Sequence, residues 1–189
     1  MKKFLIAGLG NIGPDYVNTR HNAGFLMADE LVGSAGASFD TGRYGDLARL
    51  KFRGRNILVL KPSTFMNNSG RAIRYWLNQE NIPLQNLLVV LDDIALPIGT
   101  LRFRKKGGPG GHNGLISIIE MLGTTNFNRL RIGIGDAFSK GTQVDYVLGE
   151  WTDEERSTLK KITPQAVEMI KSFIAFGPDK TMNEYNSKT

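Results

Sequence analysis

His21 and His112 are the only imidazoles in the chain, each followed directly by asparagine and each in a glycine-bearing loop. Cysteine is absent, which removes disulfides, thiolate nucleophiles and Cys-ligated metal centres. With two histidines and neither an HExxH motif nor clustered His/carboxylate spacing, no metal site is expected. A GxSxG elbow and a GxxxxGK[ST] loop are missing as well. Histidine, aspartate and a set of asparagines remain, with Asn11, Asn67 and Asn68 in further turns. A histidine paired with a carboxylate can activate water directly and hydrolyse a bond without a covalent enzyme intermediate. Neutral amides can hold an ester or amide backbone by its C=O and N–H groups without adding charge. Each histidine, taken alone, reads more readily as an ordinary surface loop residue.

The elements that must position these residues alternate between strand and helix patterns, which points to an α/β layered fold. Residues 4–9 read as a short buried strand and 23–31 as a helix with Phe25, Leu26 and Met27 on its apolar side. Residues 47–53 alternate and meet 57–60 across Gly54-Arg55-Asn56 as a hairpin, so the sheet is mixed. An amphipathic helix is expected over 69–77. Leu87-Leu88-Val89-Val90-Leu91, the most continuous apolar run, reads as a strand buried on both faces. Asp92-Asp93 follows at its carboxyl end, where open α/β sheets collect ligands; a loop aspartate accepting backbone hydrogen bonds is the plainer reading. Residues 101–104 form a basic strand that enters the loop Gly107-Gly108-Pro109-Gly110-Gly111, and a helix is expected over 112–122. Leu130, Ile132 and Ile134 alternate in a further strand. Thr152-Asp153-Glu154-Glu155 is a capping box opening a last helix, which Pro164 should kink or split and Gly177-Pro178 should stop. Residues 179–189 read as a mobile tail on a single domain, 1–189.

Gly8-Leu9-Gly10-Asn11-Ile12-Gly13 is a formal GxGxxG after a strand. A dinucleotide site needs a helix starting in that loop. Pro14 to Asn22 has no helical apolar stripe, so no nucleotide cofactor is expected. The first apolar run is four residues before Gly8, too short for a signal peptide, and no stretch approaches the roughly 20 apolar residues of a membrane helix. A soluble cytoplasmic protein is expected.

Net charge is +6, from 24 basic and 18 acidic residues. Residues 1–149 hold 18 basic and 11 acidic residues and residues 150–189 hold 6 and 7, so the excess sits in the first four-fifths. Arg102 and Arg104 share a strand face about 6.6 Å apart at ~3.3 Å per residue, a spacing that suits neighbouring phosphates. Arg129 and Arg131 alternate in the same way. An anionic partner, nucleic acid above all, fits this distribution; a solvated basic surface is the simpler alternative.

Five ordered blocks carry a family resemblance over nearly the whole chain. They are Gly8-Leu9-Gly10-Asn11 with Gly13, residues 19–24 (Thr-Arg-His-Asn-Ala-Gly), residues 62–70 (Pro-Ser-Thr-Phe-Met-Asn-Asn-Ser-Gly), residues 110–115 (Gly-Gly-His-Asn-Gly-Leu) and residues 129–135 (Arg-Leu-Arg-Ile-Gly-Ile-Gly). In these the chain resembles bacterial peptidyl-tRNA hydrolase. The resemblance implies a monomeric, cofactor-free α/β enzyme with a mixed, mostly parallel twisted sheet flanked by helices on both faces. It also implies cleavage of the ester joining a peptide to the 3′ end of tRNA. By motif, His21 is the general base and Asp92 its orienting partner, with Asp93 the less suited neighbour. Asn11, Asn67 and Asn113 match substrate-binding asparagines, Asn11 bearing on the preference for a peptide over a free amino group. Tyr16 and Phe65 match residues lining the site, Arg104 and Arg131 a tRNA-phosphate clamp, and Arg102 a neighbouring basic position. His112 matches a histidine that supports the glycine loop. Ile12, Ala95 and Pro109 depart from the family pattern, at positions where proline, an acidic residue and an uninterrupted glycine run are usual. A catalytically silent RNA-binding relative is the alternative, disfavoured by the joint presence of His21, Asp92 and the three asparagines.

Overall fold

Alternation of apolar and polar residues builds one seven-stranded sheet within residues 1–186, the part of the chain that the computed structural model describes. Its strands are β1 (Lys3–Gly8), β2 (Asp40–Gly42), β3 (Gly45–Phe52), β4 (Arg55–Pro62), β5 (Leu87–Asp93), β6 (Leu101–Arg104) and β7 (Asn128–Gly133). The helices are α1 (Ala23–Ser34), α2 (Ser69–Gln79), α3 (Asn113–Leu122), α4 (Gln143–Val147), α5 (Asp153–Phe176) and α6 (Pro178–Tyr185). None of these helices is long and apolar enough to cross a membrane.

Strand order is β2-β3-β4-β1-β5-β7-β6. The interior strands β4, β1, β5 and β7 run parallel, while β3 with β2 and, at the other edge, β6 join antiparallel. Parallel strands end on one rim, and that rim is where side chains from different strands can converge. Period-two alternation sends Ile6, Leu88, Val90, Leu130 and Ile132 into the core beneath α1 and α5. Leu5, Ala7, Leu87, Val89 and Leu91 pack on the other face, against α2 and α3. β5 is therefore buried on both faces, as its unbroken apolar run requires.

Close backbone packing sets the height of α1 over the sheet. A Cβ on Gly8 would lie 2.3 Å from the Gly24 carbonyl oxygen, and one on Gly24 would lie 2.3 Å from that of Val90. Only glycine lets α1 sit so low on β1 and β5, and this brings the 3-10 turn Arg20–Asn22 over the end of β5. No helix starts within the GxGxxG loop, so its glycines do not form a pyrophosphate cradle.

Several boundaries differ from the sequence reading. The β3–β4 turn is Arg53-Gly54, with φ of +47° and +73°, so β4 begins at Arg55 inside what reads as loop. The capping box of α5 forms, with Thr152 Oγ1 accepting from the Glu155 N–H at 3.1 Å and Glu155 Oε2 from the Thr152 N–H at 2.9 Å. Pro164 does not split that helix: it is exposed, so the Lys160 carbonyl left without an N–H partner can be hydrated. Residues 179–186 do not trail as a tail: 179–185 belong to α6, which packs along β6, and Asn186 follows it. There Asn186 Nδ2 donates to the Phe103 carbonyl and its Oδ1 accepts from the Phe103 N–H, both at 2.9 Å, closing a sheet edge that would otherwise stay open. The rest of the expected tail, 187–189, lies outside the described residues.

Candidate active site

Asp92 is the last but one residue of β5, on the same side as Val90, is 2% exposed, and meets both histidines of the chain. His21, in the turn before α1, donates Nδ1–H to Asp92 Oδ2 at 2.8 Å. His112 reaches Oδ1 of the same carboxylate with Nε2 at 2.9 Å. The protons follow from the surroundings. His112 Nδ1 caps α3, accepting from the Gly114 N–H at 3.0 Å and the Leu115 N–H at 3.4 Å, so its proton is on Nε2 and points at Asp92. The Asp92 carboxylate accepts the Nδ1–H of His21, which leaves His21 Nε2 with a lone pair. Burial by itself would raise the Asp92 carboxyl, but His112 and His21 facing it hold it well below the usual carboxylate range.

His21, Asp92 and His112 also bring one donor atom each within 4.8 Å of one another, a spacing a metal ion can use. A metal at His112 Nε2 would need the proton there removed while two backbone N–H groups still point at Nδ1. The donor set suits a hydrogen-bonded triad better than a metal centre.

Asn11 follows β1 and is anchored from two sides. Its backbone N–H donates to Asn22 Oδ1 at 2.8 Å, and its carbonyl accepts from Asn22 Nδ2 at 2.9 Å. Its own Oδ1 accepts from the Met66 N–H at 2.7 Å, which commits that oxygen and leaves the Nδ2 group as the end available to a ligand. Asn67 and Asn113 are exposed in the same cleft, with no internal side-chain hydrogen bond among the described residues.

The cleft has a volume of about 880 Å³, with Asn11, His21, Asp92 and His112 on its floor and the Gly107–Gly111 loop along one side. Val144, Val147 and Leu148 form another wall. The loop turns at Pro109-Gly110-Gly111-His112, closed by the His112 N–H on the Pro109 carbonyl at 2.9 Å. Both central residues have φ near +56° and +78°, which glycine alone adopts without strain. Arg129 holds the loop's other end, donating Nη1–H to the Gly107 carbonyl at 2.9 Å. Burial pushes this guanidinium down to about 10, with Arg131 nearby acting in the same direction.

Register pairs Arg102 with Arg131 and Arg104 with Arg129, so four arginines share one face of the β6–β7 ribbon. Their fates differ. Arg104 lines the cleft, is exposed and has no ion-pair partner among the described residues. Arg131 also lines it, and its Nε–H is engaged by Asp93. Arg102, expected among the phosphate contacts, does not line the cleft; its Nη1–H donates to the Asn186 carbonyl at 3.2 Å, because the expected tail is packed there. Tyr16 is half-buried in the turn before His21, and Phe65 is exposed immediately before Met66; neither lines the cleft itself. Phe65 holds φ +61° and ψ +160°, a region costly for any residue but glycine.

Sequence reasoning missed Asn22, and it gave His112 only the loop-supporting half of its contacts. It also missed Arg20, whose Nη2 lies 3.2 Å from Glu155 Oε2 and whose Nη1–H donates to the Tyr146 carbonyl at 2.9 Å, tying the His21 turn to α4 and α5. The repeated His-Asn pair is the one signal that bears on Asn22 and His112; nothing local marks Arg20.

The sequence profile of the peptidyl-tRNA hydrolase family matches residues 5–189. The peptidyl-tRNA hydrolase of Bacteroides fragilis is 53% identical over 186 residues, covering 98% of this chain and 100% of the relative. That of Porphyromonas gingivalis is 53% identical over 184 residues, covering 97% and 100%. The crystal structure of peptidyl-tRNA hydrolase from Acinetobacter baumannii superposes with a TM-score of 0.92 at 33% identity, covering 97% of this chain and 94% of that one.

Proposed function

Because the chain belongs to the peptidyl-tRNA hydrolase family and hydrolyses peptidyl-tRNA, we propose that His21 is the base and Asp92 the group that orients it. The observation carrying this is the 2.8 Å contact between His21 Nδ1 and a buried carboxylate at the floor of the cleft. His21 Nε2 takes a proton from water as the water oxygen bonds to the ester carbonyl carbon. The bond from that carbon to the ribose oxygen then breaks, and the proton passes from His21 to the departing oxygen. The products are the peptide's carboxylic acid, which gives its remaining proton to solvent and becomes a carboxylate, and a tRNA with its terminal hydroxyl restored. Asp92 stabilises the imidazolium that forms between the two proton transfers.

Asn11, Asn67 and Asn113 grip the peptide main chain. With its oxygen committed to Met66, Asn11 offers N–H donors, which suit a peptide carbonyl and repel the ammonium of an unblocked amino acid. That accounts for a preference for peptidyl over aminoacyl esters. Arg104 and Arg131 contact phosphates of the acceptor arm, while Tyr16 and Phe65 border the path to the cleft. The enzyme works as a monomer in the cytoplasm, where translation makes its substrate.

Single-turnover release of a labelled N-acetyl-aminoacyl group from tRNA tests this reading. Wild type should cleave with or without EDTA, and His21→Ala and Asp92→Asn should lose about 10²- to 10⁴-fold in rate while still binding tRNA. Full activity in His21→Ala would refute the assignment.

A further inference from the structure

The β2–β3 turn lies on the same rim of the sheet as the cleft, since Gly45 pairs with Pro62 at the carboxyl end of β4. It carries Arg43 and Tyr44, and the Tyr44 backbone sits at φ +63°, strained for a residue other than glycine. Two bonds hold it there: the Trp76 indole N–H donates to the Arg43 carbonyl at 2.7 Å, and the Ser63 N–H to that of Tyr44 at 2.8 Å. Tyr75 of α2 meets Tyr44 edge-on, with ring centroids 5.4 Å apart. Arg43 lies 5.1 Å from both tyrosine rings, and Arg71 lies 5.5 Å from that of Tyr44. Neither guanidinium has a carboxylate partner among the described residues. The result is a preformed surface of two tyrosines and two uncompensated cations.

The strand order says which part of the substrate can reach it. Arg131 stands on β7 toward one end of the rim, with Arg104 lower on the same ribbon, level with Arg129 and Val89, and lining the cleft from there; Asp92 follows on β5, Asn11 after β1, Phe65 and Asn67 after β4, and Tyr44 beyond them. If phosphates occupy the β6–β7 end, the peptide leaves the ester over Asn11 and Asn67, toward Tyr44. Three to four strand spacings of ~4.8 Å separate Asp92 from the turn, a span of about five extended residues. We propose that Arg43, Tyr44, Arg71 and Tyr75 form a remote peptide subsite that takes an acidic side chain about five residues upstream of the scissile ester. The inference rests on the function proposed above, and it makes peptide preference weak at the ester and measurable farther out.

Three substrates on one tRNA test it: an N-acetyl-aminoacyl ester, and two hexapeptidyl esters carrying glutamate or lysine at the fifth residue from the ester. Wild type should show a KM about five-fold lower for the glutamate peptide than for the lysine peptide. Arg43→Ala/Arg71→Ala should erase that difference and leave the N-acetyl-aminoacyl substrate unchanged. Equal KM for both peptides in wild type would overturn the subsite. A KM that rises equally for all three substrates in the double variant would also overturn it, assigning the cluster to RNA. Failure of wild type to cleave the N-acetyl-aminoacyl ester would instead remove the function on which the subsite depends.

Discussion

Asn22 brackets the main chain of Asn11 with both ends of its amide, accepting from the Asn11 N–H at 2.8 Å and donating to the Asn11 carbonyl at 2.9 Å. Both residues are buried, so neither backbone group has water as a substitute. Asn22→Ala should therefore destabilise the fold by roughly 2 kcal/mol or more, the cost of two stranded polar groups. A looser Asn11 would also discriminate less. The ratio of kcat/KM for N-acetyl-aminoacyl-tRNA over aminoacyl-tRNA should fall in the variant, and an unchanged ratio would mean that Asn11 does not set the preference.

His112 and His21 share one carboxylate but face different tasks. His21 has a ring nitrogen left to accept a proton, whereas both nitrogens of His112 are occupied, one by Asp92 and one by the start of α3. His112→Ala should cost about ten- to a hundred-fold in kcat, the worth of one charge-assisted hydrogen bond expressed as rate. His21→Ala should cost more and resist rescue by higher pH. The opposite ranking, measured by single-turnover kinetics, would exchange the two roles.

Much of this site is legible in the sequence because its parts sit where local rules put them. An apolar run predicts a buried strand, a buried strand of a parallel sheet ends on the ligand-binding rim, and Asp92 stands at that end. What local rules cannot deliver is convergence across long separations. Asp92 and His112 are 20 residues apart and His21 and Asp92 are 71 apart, and only the strand order makes them neighbours. Asn22 was hidden differently, since an asparagine that serves another residue's backbone looks like any polar loop residue. The segment after Gly177 misled by composition: its polar residues include Asn186, whose amide is what seals the β6 edge.

Phosphate binding by the β6–β7 ribbon makes a distinct claim about salt. Arg104 has no carboxylate to leave, while Arg131 must share its guanidinium with Asp93. Arg104→Ala should thus raise KM more than Arg131→Ala at low ionic strength. Each should flatten the slope of log KM against log salt by about 0.7 to 0.9, one phosphate contact apiece. Arg102→Ala, tied to Asn186, should leave that slope unchanged. A slope unaltered in both Arg104→Ala and Arg131→Ala would refute the clamp.

Ionised Asp92 also ties stability to pH. Its carboxyl is held below its ordinary value in the folded protein, so the unfolded chain binds a proton there more readily than the native state does. The resulting stabilisation is complete above the unfolded carboxylate range, near pH 4, and is lost as pH falls from about 5 toward the folded value. Urea midpoints of wild type and Asp92→Asn should accordingly differ most at pH 7 and converge on acidification, because the amide has no proton to bind. A gap that stays constant from pH 7 down to about pH 2 would mean that the two histidines do not hold Asp92 as a carboxylate, and the orienting role assigned to it would fall with that result.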